Sequence, residues 1–135
     1  MARILVVDDD AMVRGTIRAS LQRAGHDVVE AGDGLEAIAV LERSEVALVV
    51  SDIIMPEVDG IGLLLKLRKQ YPELRVIVIS GGGRTQNVDF LRMAQTLGAD
   101  HVLAKPFSPD QLQQAVQAVL AAPRRATIGP DPGAP

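Results

Sequence analysis

An α/β domain built on a parallel sheet is what this sequence predicts, and three observations predict it. Apolar runs rich in β-branched residues alternate with segments of helical period, the pattern of strands joined by crossover helices. The run from Val46 to Ser51 shows no polar alternation, as expected of a strand covered on both faces. The chain has 135 residues, a natural size for one compact domain, and is 47% hydrophobic, mostly through Val, Leu, Ile and Ala.

Five βα units can be read in order. Strand one covers Arg3 to Val7; its helix begins near the N-cap candidate Asp10, carries Met12, Val13, Ile17 and Leu21 at helical spacing, and stops at Gly25. Strand two is the short Asp27 to Glu30, followed by a Gly-Asp-Gly turn and a helix bearing Leu35, Ile38 and Leu41. Strand three is Val46 to Ser51. The next helix starts around Gly60, with Ile61, Leu64, Leu65 and Leu67, and must end before Pro72.

Strand four is Arg75 to Ser80, and Gly81, Gly82 and Gly83 lead to a helix from about Asn87 to Leu97. Phe90, Leu91, Met93, Ala94 and Leu97 share one broad arc of that helix, which core packing explains, with an edge left over for a partner. Strand five is His101 to Ala104. The last helix opens with Ser108 as N-cap and Pro109 at the first helical position, and carries Leu112, Val116, Val119 and Leu120. From Pro123 the periodicity is lost and three more prolines appear, so the domain is expected over 1–122 and a Pro-rich tail or linker stub over 123–135.

Composition excludes several classes of function. With Tyr71, Phe90 and Phe107 as the sole aromatics, an aromatic platform for stacking bases is not available. Fourteen basic and 17 acidic residues are interspersed, net −3, so no basic stripe marks direct nucleic-acid or membrane binding. The absence of cysteine removes disulfides, thiolate nucleophiles and Cys-based metal sites. No apolar run approaches the roughly 18 residues of a spanning helix, and no signal peptide is visible, so a cytoplasmic protein is expected. His26 and His101 lack metal-ligand spacing to one another and read as an exposed turn residue and a strand-start residue.

The chemistry sits at strand ends. Asp8 and Asp9 follow strand one, Asp52 follows strand three and Lys105 follows strand five. In open parallel sheets, ligands bind beyond the carboxyl ends of the strands, where such residues converge. Three clustered carboxylates disfavour one another's ionisation, and a divalent cation removes that cost. Mg²⁺ suits the donors, since it takes oxygen ligands and commonly shares one or two carboxylates with a phosphate.

Adjacent aspartates cannot point into a pocket in the same way, so Asp9 is favoured as a direct ligand and Asp8 as one acting through water. Acidic residues after a strand can also simply begin a helix, and that reading is adopted for Asp10. Asp52 is the candidate nucleophile for a phosphoryl group, with Lys105 as the fixed cation that spreads the charge of the transferring group. Judged alone, Lys105 could equally be a solvated lysine; it precedes Pro106, and an X-Pro bond can be cis. Ser80 could donate its hydroxyl to a phosphoryl oxygen, although serine at a strand end is more often a turn residue. Gly81 to Gly83 could bring backbone N–H groups to an anion but lack Walker spacing.

Together these motifs resemble the response-regulator receiver domain of two-component signalling, over about Arg3 to Ala121. They are Leu5-Val6-Val7-Asp8-Asp9-Asp10, the segment from Ser51-Asp52 through Met55-Pro56 to Asp59-Gly60, Val78-Ile79-Ser80-Gly81, and Gly98-Ala99-Asp100 leading to Lys105-Pro106-Phe107. The resemblance implies a flavodoxin-like, doubly wound (βα)5 fold with strand order 2-1-3-4-5. It implies that Asp52 accepts a phosphoryl group from a phosphohistidine on a sensor histidine kinase or histidine phosphotransfer protein. It also implies Mg²⁺ held by Asp9, Asp52 and the backbone carbonyl of Ile54, with Asp8 assisting through water.

Lys105 and Ser80 would contact the phosphoryl oxygens, and Ser80 would move inward to reshape the face formed by the 87–97 helix, the fifth strand and the last helix. A downstream protein, or a second copy in a phosphorylation-dependent homodimer, would read that face. The domain would not be an enzyme in the ordinary sense, but a phosphoacceptor catalysing its own phosphotransfer and slow dephosphorylation.

Three positions depart from the family pattern. Val102 stands where many receivers place a switch aromatic, so transmission is expected to use backbone motion. The stretch from Ser80 to Lys105 is a few residues longer than usual. Ile54 and Gly82 lie where side chains help or hinder water, and an aliphatic Ile54 would exclude it, giving a phosphorylated state of at least moderate lifetime. Two other readings are a phosphorylation-independent interaction module and an aspartyl-phosphate phosphatase, the latter disfavoured because Ile54 cannot act as the acid two residues after the nucleophile.

Overall fold

The computed structural model describes residues 2–52, 60–80, 92, 96 and 98–122. In chain order these form β1 (Arg3–Val7), α1 (Ala11–Arg23), β2 (Asp27–Ala31), α2 (Gly34–Arg43), β3 (Leu48–Asp52), α3 (Gly60–Gln70), β4 (Arg75–Ser80), β5 (His101–Ala104) and α4 (Pro109–Ala121). The strands pair in parallel as one sheet of order β2-β1-β3-β4-β5. This is the flavodoxin-like order. The chain steps outward from β1 to β2 and then crosses back to β3, so the topological switch point lies between β1 and β3.

Alternate residues of each strand face opposite sides of the sheet, and both sides are covered. Leu5, Val7, Val49, Val76 and Val78 pack with Ala37 and Val40 of α2 and Leu63, Leu64 and Leu67 of α3. Ile4, Val6, Leu48, Val50, Ile77 and Ile79 pack with Ile17 and Leu21 of α1 and Leu112, Ala115, Val116 and Val119 of α4. Each fully buried aliphatic side chain stabilises the fold by about 1.5–3 kcal/mol. These two layers hold the strand ends rigid.

Helix starts follow from side chains that accept otherwise orphaned N–H groups. Asp10 accepts from Met12 N at 2.9 Å, and Asp33 accepts from Glu36 N at 2.8 Å. Ser108 and Gln111 form a reciprocal capping box at α4. α1 ends at Arg23 with Ala24 as its C-cap, and Gly25 follows at φ 95°, a left-handed conformation that glycine adopts without a Cβ penalty.

Several expectations are adjusted. β3 starts at Leu48 rather than Val46 and includes Asp52, while β2 extends to Ala31. Met12 (82%), Leu35 (61%) and Leu65 (49%) are exposed, because each lies off the face that its helix buries; Leu63, not Leu65, completes the α3 contact. Of the helix expected over 87–97, Arg92 and Thr96 are described, both helical and exposed. Its apolar arc, the glycine loop and the 123–135 tail lie outside the described residues. No described helix is long and apolar enough to cross a membrane.

His101 is exposed at the start of β5 as expected, but His26 is half-buried rather than exposed. Its Nδ1 accepts a hydrogen bond from Ala2 N at 3.2 Å, which requires the neutral ring. Burial holds the His26 pKa below its ordinary 6.5. The unfolded chain therefore binds more protons than the folded one below that pH, so stability rises with pH. The contribution is complete above 6.5 and is lost as pH falls through the lower folded value. Thermal melts from pH 5 to 7.5 should show this slope, and His26→Ala should flatten it.

Candidate metal and phosphoryl-transfer site

The register of the central strands brings the acidic residues level. Val7 pairs with Ser51, so Asp8, one residue on, stands beside Asp52 at the switch point. Asp52 pairs with Ile79, and Ser80 with Ala104, so Lys105 emerges two rows above Asp52. Carboxylate oxygens of Asp8, Asp9 and Asp52 lie within 4.8 Å of one another. Lys105 Nζ is 3.5 Å from Asp52 Oδ2 and 3.8 Å from Asp8 Oδ2. Four expected site residues from three strand ends thus converge.

Their environments differ. Asp8 and Asp52 are buried, Asp9 is exposed, and Lys105 is partly covered. Asp8 Oδ1 accepts from Asp10 N at 2.9 Å, whereas Asp8 Oδ2 is buried with no hydrogen-bond partner. Burial raises the Asp8 pKa above its ordinary 3.8, and the charge of Asp52 adds to the rise; the Asp10 N–H and Lys105 oppose it. An orphaned buried oxygen beside two further carboxylates is a donor set suited to a hard divalent cation, so the residues present fit Mg²⁺.

The Lys105–Pro106 peptide is cis, which the X-Pro sequence permits. The backbone of Ser80 ends β4 beside Ala104. The Ser80 side chain, Ile54 and Gly82 lie outside what the structure describes, so their expected roles are carried by sequence alone. Val102 is a half-buried aliphatic packed against the α2/α3 side of the core.

One residue at the site had no signal in the sequence. Arg14, on the first turns of α1, donates from its NH1 nitrogen to the Asp8 carbonyl at 2.7 Å and from Nε to Glu30 Oε1 at 2.8 Å. Arginine on a helix is ordinarily a solvated surface group, and its contact depends on how α1 crosses β2. Beside the acids, an apolar groove of about 810 Å³ runs between α1 and the segment after β5, lined by Met12, Val13, Ile17, Lys105, Pro106 and Phe107.

A parallel sheet of order 2-1-3-4-5 with a carboxylate cluster and a lysine gathered at the carboxyl ends of its strands defines a flavodoxin-like domain with an acidic crevice. Residues 4–117 match the family model for the response regulator receiver domain, and the chain belongs to that family. It is 36% identical over 118 residues to the probable transcriptional regulator ycf27 of Porphyridium aerugineum, covering 87% of this chain and 48% of that protein. It is 42% identical over 122 residues to the sensor kinase CckA of Brucella abortus (strain 2308), covering 87% of this chain and 12% of CckA.

The crystal structure of the Vibrio cholerae chemotaxis protein CheY4 superposes with a TM-score of 0.79 at 30% identity, covering 88% of this chain and 98% of that one. The chain therefore spans half or less of these curated relatives and nearly all of the chemotaxis protein. It is a response regulator receiver domain of the two-component class.

Proposed function

We propose that this domain accepts a phosphoryl group on Asp52 from a phosphohistidine of a sensor histidine kinase or histidine phosphotransfer protein. The observation that carries this reading is Lys105 Nζ, 3.5 Å from Asp52 Oδ2 and bridging toward Asp8, above three carboxylates within 4.8 Å. A carboxylate held at a rigid strand end is preorganised for in-line attack. An oxygen of Asp52 forms the bond to phosphorus, the phosphorus–nitrogen bond of the donor breaks, and its electron pair returns to the imidazole.

Lys105 then compensates the charge on the transferred group, and Ser80 accompanies it as a hydroxyl donor. Asp8, Asp9 and Asp52, with the Ile54 carbonyl, would hold Mg²⁺. When bound, the ion would neutralise the acidic cluster and the phosphoryl oxygens.

The groove beside the site supports a protein donor. Any partner presenting a phosphohistidine to Asp52 must cover the adjoining surface, and that surface offers the exposed Met12 with the half-buried Val13 and Phe107. On this reading the domain is a self-modifying signalling acceptor rather than an enzyme turning over a free substrate. It works in the cytoplasm, where phosphohistidine donors are found, and its output is a change in affinity for a protein partner, either a downstream target or a second copy.

Incubation with acetyl phosphate, with Mg²⁺ or with chelator, and intact-protein mass analysis test the reading. A hydroxylamine-labile adduct of one phosphoryl group that forms only with Mg²⁺ is expected. No adduct from small donors or a phosphorylated histidine kinase would overturn it.

A further inference from the structure

Successive residues of an extended strand point to opposite faces, so Asp8 and Asp9 should face apart. Both nevertheless place a carboxylate oxygen within 4.8 Å of the others in the cluster. β1 ends at Val7 and the backbone bends at Asp9, so the peptide that joins the two acids, whose carbonyl belongs to Asp8, lies at the turn. That carbonyl receives the Arg14 guanidinium at 2.7 Å, while the Asp8 N–H donates to Ala31 O at 3.2 Å and Asp10 N donates to Asp8 Oδ1 at 2.9 Å.

We propose that Arg14 is a positioning residue for the divalent-cation site: by fixing the Asp8–Asp9 peptide, it turns two sequence-adjacent carboxylates toward one ion. The inference rests on the receiver reading above and deepens it. The charge of Arg14 is met outside the cluster by Glu30, whose other oxygen takes Arg18 at 2.6 Å. The fork geometry matters, since Nε bonds Glu30 Oε1 while the NH1 nitrogen bonds the Asp8 carbonyl.

The sign of the effect separates positioning from simple electrostatics. A guanidinium near a cation site repels the cation, so if Arg14 acted only through its charge, removing it would tighten Mg²⁺ binding. If it positions the ligands, removing it weakens binding, as loss of an outer partner of a metal ligand does, by about 10- to 100-fold. Arg18 is the internal control, because it pairs the same Glu30 while the bond to the Asp8 carbonyl comes from Arg14.

The experiment is titration calorimetry of the intact chain with Mg²⁺ for wild type, Arg14→Met and Arg18→Ala, with melts in chelator to establish folding. Arg14→Met keeps the aliphatic stem. Arg14→Lys replaces it if the Met variant does not fold, with the same expected direction, because one ammonium cannot reproduce the fork. Amide NMR spectra in chelator give a second readout, in which the Arg14 variants should move the Asp9 and Asp10 resonances and Arg18→Ala should not.

The expected result is a dissociation constant raised about tenfold or more for the Arg14 variants and within about twofold of wild type for Arg18→Ala. Binding by the Arg14 variants as tight as wild type, or tighter, overturns the proposal while leaving the receiver reading intact. Absence of Mg²⁺ binding by wild type overturns both.

Discussion

Asp52→Asn should take up no phosphoryl group from acetyl phosphate and Mg²⁺ under conditions that label the wild type, a loss of about 10⁴-fold or more in rate. The substitution keeps the shape of the side chain at the end of β3 and the aliphatic packing below it, so the fold should persist. It replaces a carboxylate oxygen, which can attack phosphorus, with a neutral amide that cannot. Lys105 loses its 3.5 Å partner but remains 3.8 Å from Asp8, so it does not become an isolated charge.

Removing one of three neighbouring acids also relieves repulsion, and a melt in chelator should show a midpoint no lower than that of wild type. A labelled Asp52→Asn protein with the adduct mapped to Asp8 or Asp9 would mean that the nucleophile has been misassigned within the cluster.

Asp8→Asn should act on stability in the opposite direction from most buried substitutions. The folded state raises the Asp8 pKa, chiefly by burial, so this group's contribution to stability is full below pH 3.8 and lost as pH rises through the raised folded value. At neutral pH the ionised Asp8 is therefore a cost, and its buried Oδ2 has no hydrogen-bond partner. Asparagine keeps the acceptor used by Asp10 N and removes the buried charge; the 3.8 Å ion pair of Oδ2 with Lys105 is given up, and Lys105 keeps Asp52 at 3.5 Å. In chelator the variant should gain about 1–3 kcal/mol, the cost of one unsatisfied buried group.

Mg²⁺ works against that gain. Wild type at a hundred times its dissociation constant gains about 2.7 kcal/mol from the ion, and the variant, with weaker binding, gains less at the same concentration. Melting curves with chelator and with saturating Mg²⁺ should therefore narrow or invert the gap between the two proteins. A variant less stable than wild type in chelator would show that Asp8 is held by compensating contacts rather than strained by burial.

Much of the molecule was legible because the signals are local. The caps at Asp10 and Ser108, the left-handed glycine after α1 and the apolar runs of the five strands each follow from chemistry within a few residues. Exposure was less legible. Met12 and Leu35 continue the apolar composition of their helices, yet both face outward, because the buried arc is set by how α1 and α2 lie on the sheet. His26 read as an exposed turn residue because nothing local shows that the Ala2 N–H reaches its Nδ1. Arg14 carried no signal in the sequence because the carbonyl it holds is brought to it by the crossing of α1 over the strand ends.

The alternation of strands and helices, the residue types able to carry the chemistry and their positions at strand ends are all written in the linear order of residues. Strand propensity, helix caps and hydrophobic period act over a turn or a few residues, so one dimension contains them. The burial of Asp8 beside an exposed Asp9, the reach of Lys105 to Asp52 and Asp8, and the bond from Arg14 to the Asp8 carbonyl come from the assembled fold. Those outcomes depend on parallel register and on which helix covers which face. They join residues 6 to 97 positions apart, a separation at which no local preference operates.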